Sequence, residues 1–309
     1  MPLVQHLRED VLDWLNKNAD DPRVSVHMKP LPNWPEFPNG KFWDSLRRVD
    51  PEDKRGFEEW MIDLRRQEKE YPACVQAYRV LRYACGRVLW DKQNALVDVP
   101  QSYRYFARIA RKELGVISFN WDLVCERALK TELVCWGYSA HEAPIPVIKP
   151  HGSLNWTNHL MQRDWGRDIA NPAGFRPIAP GSTISYMPNQ PFDDPLLKDS
   201  PDNLRCLIFP GFDELLDHKA GSRASTEKLR LWNEAVSLIE RADCVVFIGY
   251  SLPSYDSEAR QTLEHACCSK VVHVCNPAIE VIEEFRRVFK QSEIVPEHFK
   301  FEESQFGRR

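Results

Sequence analysis

The sequence contains no apolar run close to the roughly 20 residues that a membrane-spanning helix needs, and no internal repeat or low-complexity tract. Its N-terminus, which is charged from Arg8 onward, lacks the apolar stretch of a signal peptide. The formal net charge is only −4, from 41 basic and 45 acidic residues, which gives no strong attraction to nucleic acid. These absences predict a cytoplasmic protein with no membrane contact and no direct nucleic-acid partner.

Metal-binding cysteine patterns are missing as well. The nine cysteines are scattered without a C-x-x-C pair, and the adjacent Cys267 and Cys268 suit neither a zinc site nor a simple disulfide. In the cytosol such residues are expected to be buried free thiols. We therefore predict no metal site in this chain.

Residues 1–112 are predicted to form a mainly helical subdomain, because their apolar residues recur at helical spacing. A stretch with many prolines, residues 24–38, interrupts this pattern and is predicted to be an irregular connector. The predicted helices cover residues 3–17, a segment that starts at Phe57, Cys74–Trp90 and Ser102–Leu114.

Residues 113–309 are predicted to form an α/β core, because strand and helix patterns alternate. This alternation indicates a doubly wound parallel sheet of the Rossmann type. Residues 158–200 show little periodicity, and a loop of that length is typical of a functional lid or a mobile segment. The predicted strands are Gly115–Phe119, Val147–Pro150, Cys206–Phe209, a fully buried Cys244–Ile248 and Lys270–Cys275. The predicted helices are Leu123–Lys130, Thr226–Ala242 with a stripe of Leu229, Trp232, Val236 and Ile239, Asp256–Cys267 and Ala278–Phe289.

Polar residues follow four of the predicted strands. Because the carboxyl ends of parallel strands share one edge of a sheet, these residues are expected to converge, and a nucleotide pocket is the favoured interpretation. Local roles remain open: residues after the first strand could cap the next helix, Ser251 could do the same, and Asn276 could be a turn residue. The residues are Asn120 and Asp122, His151 with Ser153, Gly249 with Ser251, and Asn276.

Four segments of this core, FNWDLVCERAL, VIKPHGSLNW, ADCVVFIGYSLPSYDSEAR and VVHVCN, resemble the sirtuin fold. They are most similar to the zinc-free bacterial sirtuin-like NAD hydrolases of antiphage defence. The resemblance covers roughly residues 113–290 and depends on the order and spacing of the motifs. The matching positions are Ser118, Asn120 and Asp122, the His-Gly pair His151 and Gly152, Gly249 and Ser251 of a Gly-x-Ser turn, and Asn276.

This resemblance implies hydrolysis of NAD to nicotinamide and ADP-ribose by a defence effector. In such an enzyme Asn120 would orient the ribose or a water, Asp122 would help to fix it, and His151 would be the general base. A neutral imidazole suits that task near neutral pH. The dinucleotide would be bound by Ser118, Gly152, Ser153, Gly249, Ser251 and Asn276.

Two departures from the family pattern affect this interpretation. Only Cys206 and Cys244 lie between the His-Gly and Gly-x-Ser segments, which argues against a zinc-bearing deacetylase. The family's glycine-rich turn at the first strand is not found, because the glycines before Val116 (Gly40, Gly56, Gly86 and Gly115) form no such motif. A catalytically degenerate module that senses NAD or ADP-ribose, or that assembles with itself or with a defence partner protein, is therefore an alternative.

A third candidate is a serine hydrolase. The run Gly249–Pro253 resembles the nucleophile elbow G-x-S-x-G, and Asp256, His265 and His273 follow Ser251 in the order of a Ser-Asp-His triad. Pro253 stands where the elbow has its second glycine, which speaks against this candidate.

Overall fold

The computed structural model describes residues 6–18, 56–66, 73–110, 115–139, 143–158, 176–177, 184–186 and 223–297. Within these ranges it contains helices, two parallel sheets and one small antiparallel sheet, so the α/β class is confirmed. Three predicted features lie outside the described residues. They are the connector at 24–38, the strand Cys206–Phe209 and most of the segment 158–200.

Among the described residues, four helices precede the first strand. The helical periodicity predicted all of them, but the third runs on to Asn94 instead of ending near Trp90. The residues after Trp90 are Asp91, Lys92 and Gln93, and none of these interrupts a helix as proline or glycine does. The helices are α1 (Leu7–Lys17), α2 (Phe57–Arg66), α3 (Ala73–Asn94) and α4 (Gln101–Ala110).

Helices α1, α2 and α3 pack around a common apolar cluster. Three residues from beyond position 115, Trp121, Val124 and Leu154, are buried in the same cluster. The residues that follow the first parallel strands are thereby packed against α1, α2 and α3, which together form the helical segment. The helices contribute Leu7, Val11, Leu12, Leu15, Phe57, Trp60, Met61, Val80, Leu81, Ala84, Cys85, Val88 and Leu89.

The first parallel sheet has three short strands, β1 (Val116–Ile117), β2 (Trp136–Gly137) and β3 (Ile145–Ile148), in the order β1-β3-β2. In its register Val116 lies beside Val147 and Ile117 beside Ile148. Helix α5 (Val124–Thr131) follows β1, as the strand, polar turn and helix pattern predicted. Strands β1 and β3 therefore end side by side and point the same way.

A small antiparallel sheet follows directly after the loop that ends β3. Its strands are β4 (Trp156–Asn158), β5 (Arg176–Pro177) and β6 (Ile184–Tyr186), in the order β4-β6-β5. The weak periodicity of residues 158–200 gave no indication of β5 or β6.

The second parallel sheet is formed by β7 (Cys244–Ile248), β8 (Val271–Cys275) and β9 (Glu293–Glu297), in that order. Helix α6 (Arg223–Arg241) precedes β7, α7 (Ser257–Ala266) joins β7 to β8, and α8 (Ile279–Val288) joins β8 to β9. The alternation of strand and helix predicted this unit except for β9. Its glutamates and its proline give β9 a weak strand signal in the sequence.

Two details of this unit differ from the prediction. Strand β7 is not fully buried: Phe247 is buried, whereas Cys244 is exposed and Ile248 is 37% exposed. Among the described strands β7 is an end strand of its sheet, and end strands are covered less completely. In α6, Leu229 is 60% exposed, so the predicted stripe is wrong at that position. The face of α6 that is buried consists of Leu231, Trp232, Ala235 and Ile239.

Both parallel sheets contribute to one large apolar core, together with α4, α6, α7 and α8. Helix α6 packs against β3 of the first sheet and against α7 of the second unit. Its Trp232 is buried there and approaches Phe119, which follows β1. Helix α6 thus connects the two parallel sheets near the ends of their strands.

In the described part of the chain, no helix is both long enough and apolar enough to cross a membrane. Among the described residues, Cys85, Cys125, Cys135, Cys244, Cys267, Cys268 and Cys275 are free thiols, and Cys268 is half-buried. Burial was predicted for them, and it holds for Cys85, Cys125, Cys267 and Cys275. It is wrong for Cys135 and Cys244, which are exposed.

Candidate functional site

The turn after β1 is built from hydrogen bonds among its own residues. The amide of Ser118 donates to the carbonyl of Ile148 at 2.8 Å and continues the pairing of β1 with β3. The hydroxyl of Ser118 accepts a hydrogen bond from the backbone amide of Asn120 at 3.4 Å. The buried carboxylate of Asp122 accepts one from the amide of Val124 at 3.0 Å, at the start of α5. Asp122 therefore shapes the turn that enters the helix, but the N-cap position itself is Leu123, which has no side-chain capping bond.

Asp122 also lies in a buried electrostatic environment. Burial raises the pKa of Asp122, although the positive charge of Lys149 and the amide of Val124 act in the opposite direction. The ammonium of Lys149 donates to the backbone carbonyl of Asp122 at 2.7 Å. The turn after β1 is thereby tied to the end of β3.

A buried polar network holds the loop that follows β3. Lys149, which is fully buried, forms an ion pair with Glu126 of α5 at 2.8 Å. The hydroxyl of Tyr138 donates to the same carboxylate at 3.0 Å and accepts from the amide of Asn155 at 3.1 Å. Ser153 in turn donates to the side-chain oxygen of Asn155 at 2.8 Å. Because Ser153 is fully buried and bonded in this network, its observed role is to shape the loop.

His151 belongs to this loop and follows Lys149 and Pro150. The turn is closed by a hydrogen bond from the amide of Gly152 to the carbonyl of Lys149 at 2.9 Å, and Gly152 has φ of 77°. That backbone conformation is strained for other residues, which explains the glycine after the histidine. His151 is only 4% exposed, and its ring meets those of Phe119 and Trp232 edge to face.

The partner of the imidazole is Asp256, which comes from the turn before α7. Nε2 of His151 lies 3.3 Å from Oδ2 of Asp256, and both side chains are buried. The N–H direction of Nε2 is not aligned with a hydrogen-bond acceptor, so the pair is an electrostatic contact with a long separation. Catalytic hydrogen bonds are often long before a substrate binds and shorten in the complex.

Asp256 has two further contacts that fix its position. Its carboxylate accepts a hydrogen bond from the amide of Ala259 at 3.3 Å and so caps α7. Its Oδ2 also accepts one from the hydroxyl of Tyr250 at 3.1 Å. Burial opposes ionisation, but the neighbouring imidazole of His151 and these two donors outweigh it and lower the pKa of Asp256. Asp256 is therefore an ionised group held against the histidine.

The turn after β7 places Tyr250 beside Phe119 and Asp256. Gly249 has φ of 64°, and an added Cβ would meet nothing within 4 Å. The ring of Tyr250 stacks on Phe119 with centroids 4.5 Å apart, which joins the end of β7 to the end of β1. Arg260 of α7 donates to the carbonyl of the buried Leu252 at 2.6 Å and holds the remainder of the turn.

A carboxylate from the helical segment reaches this turn. The hydroxyl of Tyr255 donates a hydrogen bond to Oε2 of Glu58, which lies on α2. Burial raises the pKa of Glu58, the hydrogen bond of Tyr255 and the charge of His151 lower it, and the charge of Asp256 raises it further. Glu58 is thus close enough to interact with both members of the His151–Asp256 pair.

The predicted residues are brought together only in part. Contacts among Phe119, His151, Tyr250 and Asp256 join the ends of β1, β3 and β7. Because β7 belongs to a different three-stranded sheet from β1 and β3, convergence at one edge of a single sheet stays a prediction. Asn276 follows β8, the neighbour of β7, and its side chain accepts a hydrogen bond from the amide of Ala278 at 2.9 Å. It thus has the turn role that was left open. Ser251 is exposed, and Asp256 caps α7 in its place.

Several residues of the site were not selected from the sequence. Phe119, Tyr250, Trp232 and Glu58 gave no motif, and Asp256 was considered only as part of a hydrolase triad. The sequence did carry a signal for Asp256. An aspartate directly before a helix is a common N-cap residue, because its carboxylate accepts a hydrogen bond from a backbone amide of the first turn. No local pattern could have indicated Glu58.

The geometry also bears on the hydrolase candidate. The carboxylate of Asp256 faces His151 and Tyr250, His265 is an exposed residue of α7, and His273 lies 3.7 Å from Glu297. The predicted order Ser251, Asp256 and His265 or His273 therefore forms no triad in these contacts.

No protein-family model matches this chain, and no curated protein matches it.

Proposed function

We propose that this chain binds NAD where β1, β3, β7 and β8 end, and hydrolyses it to nicotinamide and ADP-ribose. The observation that carries this proposal is the buried pair of His151 and Asp256, which lies where three of these strand ends meet. Its motifs also resemble those of the zinc-free sirtuin-like NAD hydrolases. The proposal includes the finer expectation that both parallel sheets belong to one doubly wound, sirtuin-type arrangement.

The chemistry requires little of the protein beyond positioning and electrostatics. The departing nicotinamide ring is already cationic, so the site has to hold the ribose, stabilise an oxocarbenium-like centre and direct one water. His151 accepts the proton from a ribose hydroxyl or from that water. Asp256 stabilises the imidazolium that results, because its ionised carboxylate is 3.3 Å away. A buried location strengthens this interaction.

The other predicted residues take roles that fit their surroundings. Asn120 is partly exposed at the end of β1 and orients the ribose or the water. Asp122 acts indirectly, because its carboxylate accepts the backbone amide of Val124 and fixes the turn that carries Asn120. Gly249, with its open space and positive φ, allows the dinucleotide to approach the backbone. Gly152 and Ser153 are buried, so they support the His151 loop, as Ser118 supports the turn after β1.

The experiment is NAD turnover by the purified chain, with nicotinamide and ADP-ribose separated by chromatography. Asn120→Ala and His151→Ala are compared with His265→Ala, which removes an exposed histidine of α7 as a matched control. We expect turnover in the wild type and in the control, and a loss of roughly 10²–10⁴-fold in His151→Ala. If His151→Ala hydrolyses NAD as fast as the wild type, the assignment of the base is wrong.

A second candidate is an NAD- or ADP-ribose-binding module that does not hydrolyse its ligand. It is favoured by the 4% exposure of His151 and by the lack of alignment between its N–H and Asp256. A thermal-shift titration with both ligands separates the two candidates. A ligand-induced shift without turnover identifies the binding module.

A further inference from the structure

Glu58 connects the helical segment to the turn that carries Asp256. It lies on α2, whose Phe57 and Trp60 are buried in the helical core, so the position of its backbone is fixed. Its carboxylate accepts the hydrogen bond of Tyr255, which immediately precedes Asp256 in the sequence. A residue of α2 is thereby held beside the turn that carries Asp256.

The pKa values of two carboxyl groups near His151 are shifted in opposite directions. The pKa of Glu58 is raised, first by burial, while that of Asp256 is lowered because the contacts with His151, Ala259 and Tyr250 outweigh its burial. When the pKa values of two nearby groups are shifted apart in this way, there is a pH range in which one group holds a proton while the other is ionised. The site therefore has one fixed negative charge and one carboxyl group that can gain or lose a proton.

Other titratable groups around Glu58 come from three elements. Tyr250 and Tyr255 belong to the turn before α7, and burial raises the pKa of both hydroxyls far enough to keep them neutral. On α3, burial and then the charge of Glu58 raise the pKa of the Cys85 thiol, and Arg82 of the same helix acts in the opposite direction. Glu59, the next residue of α2, interacts with Tyr255 more weakly than Glu58 does.

We propose that Glu58 is a positioning residue of the His151 site, through which the helical segment controls the pH range in which the site works. Among the described residues, neutral Glu58 leaves Asp256 as the single negative charge facing the imidazole. Ionised Glu58 adds a second negative charge, which favours the protonated imidazole and opposes its action as a base. The link to catalysis depends on the proposed NAD hydrolysis, whereas the titration of Glu58 does not.

The first test is a carbon-13 NMR titration of the Glu58 carboxyl group in the full chain, assigned with Glu58→Gln. We expect its midpoint to lie above the ordinary value for glutamate. In Asp256→Asn the midpoint should fall, because a like charge is removed and asparagine keeps the helix cap. Glu59→Gln should leave it nearly unchanged. An ordinary midpoint that does not respond to Asp256→Asn would overturn the proposal, whether or not the chain hydrolyses NAD.

The second test is the pH dependence of kcat/KM for NAD. Glu58→Gln removes the ionisable group, while its side-chain oxygen can still accept the hydrogen bond of Tyr255. We expect the acidic limb of the profile to move to lower pH. Glu59→Gln should keep the wild-type profile. An unshifted limb in Glu58→Gln contradicts control by Glu58, whereas absence of turnover in the wild type contradicts only the proposed function.

Discussion

Nε2 of His151 lies 3.3 Å from Oδ2 of Asp256, and this contact joins the loop after β3 to the start of α7. The same carboxylate caps α7 and accepts a hydrogen bond from the hydroxyl of Tyr250. One aspartate therefore has a structural role and an electrostatic role, and different substitutions should separate them.

Asp256→Asn and Asp256→Ala are expected to differ in stability but to agree in activity. Asparagine caps a helix about as well as aspartate does, whereas alanine costs about 1 kcal/mol at such a position. Urea unfolding should therefore give a lower free energy of unfolding for the alanine variant than for the asparagine variant. Both variants remove the charge that faces His151, so both should reduce NAD turnover to a similar extent. Full turnover in Asp256→Asn would mean that its charge is not needed.

Lys149→Met should be strongly destabilising, because it leaves the buried carboxylate of Glu126 without its ion pair. Breaking a buried pair from one side costs about 3–5 kcal/mol. The double variant Lys149→Met with Glu126→Gln should recover part of this loss. As a control, Lys17→Met removes a lysine from an exposed pair with Asp13, and surface changes of this kind alter stability by about 0.5 kcal/mol or less. Thermal and urea unfolding measure both effects. Equal effects at the two lysines would contradict the prediction.

Glu58 and Asp256 should make opposite contributions to the pH dependence of stability. The pKa of Asp256 is lowered on folding, so its contribution is present above the unfolded pKa and is lost as the pH falls through the folded pKa. The pKa of Glu58 is raised, so its contribution is present below the unfolded pKa and is lost as the pH rises through the folded pKa.

Glu58→Gln should consequently change stability relative to the wild type in a pH-dependent way. The variant removes the contribution that disappears with rising pH, so it should compare more favourably with the wild type near pH ~8 than near pH ~4. Urea unfolding at both pH values gives the two differences in free energy. Glu59→Gln serves as the control, and a difference that does not depend on pH would show that Glu58 titrates normally.

Gly249→Ala and Gly249→Asn separate backbone strain from steric access. Gly249 has φ of 64°, where alanine costs about 1–2 kcal/mol and asparagine is tolerated better. Urea unfolding should therefore show a smaller loss of stability for asparagine. Apart from its two chain neighbours, no atom of the described residues lies within 4 Å of an added Cβ, so the added group would obstruct a ligand that comes close to the backbone. Both variants should weaken the binding of ADP-ribose, as followed by calorimetry. Unchanged binding in both would exclude a close approach at Gly249.

The prediction succeeded where a feature depends on neighbouring residues. Helices α1 to α8 follow apolar periodicity, and the glycines after His151 and Ile248 mark turns with positive φ. The prediction failed where the burial of a side chain depends on elements that are distant in the sequence. Ile248 is exposed although β7 is apolar throughout, and Leu229 is exposed although it fits the stripe of α6. Periodicity identifies a face of an element, but it does not show what covers that face.

The sequence by itself determined the α/β class, the order of the main helices and strands, and the polar residues at the strand ends, because local spacing controls these features. Only the tertiary structure decided that His151 faces Asp256, that Phe119 stacks on Tyr250 and that Glu58 receives the hydrogen bond of Tyr255. Each of these pairs joins separate elements, and their distance depends on how helices and sheets pack together. That packing follows from the burial of many apolar side chains at once, which no local pattern records.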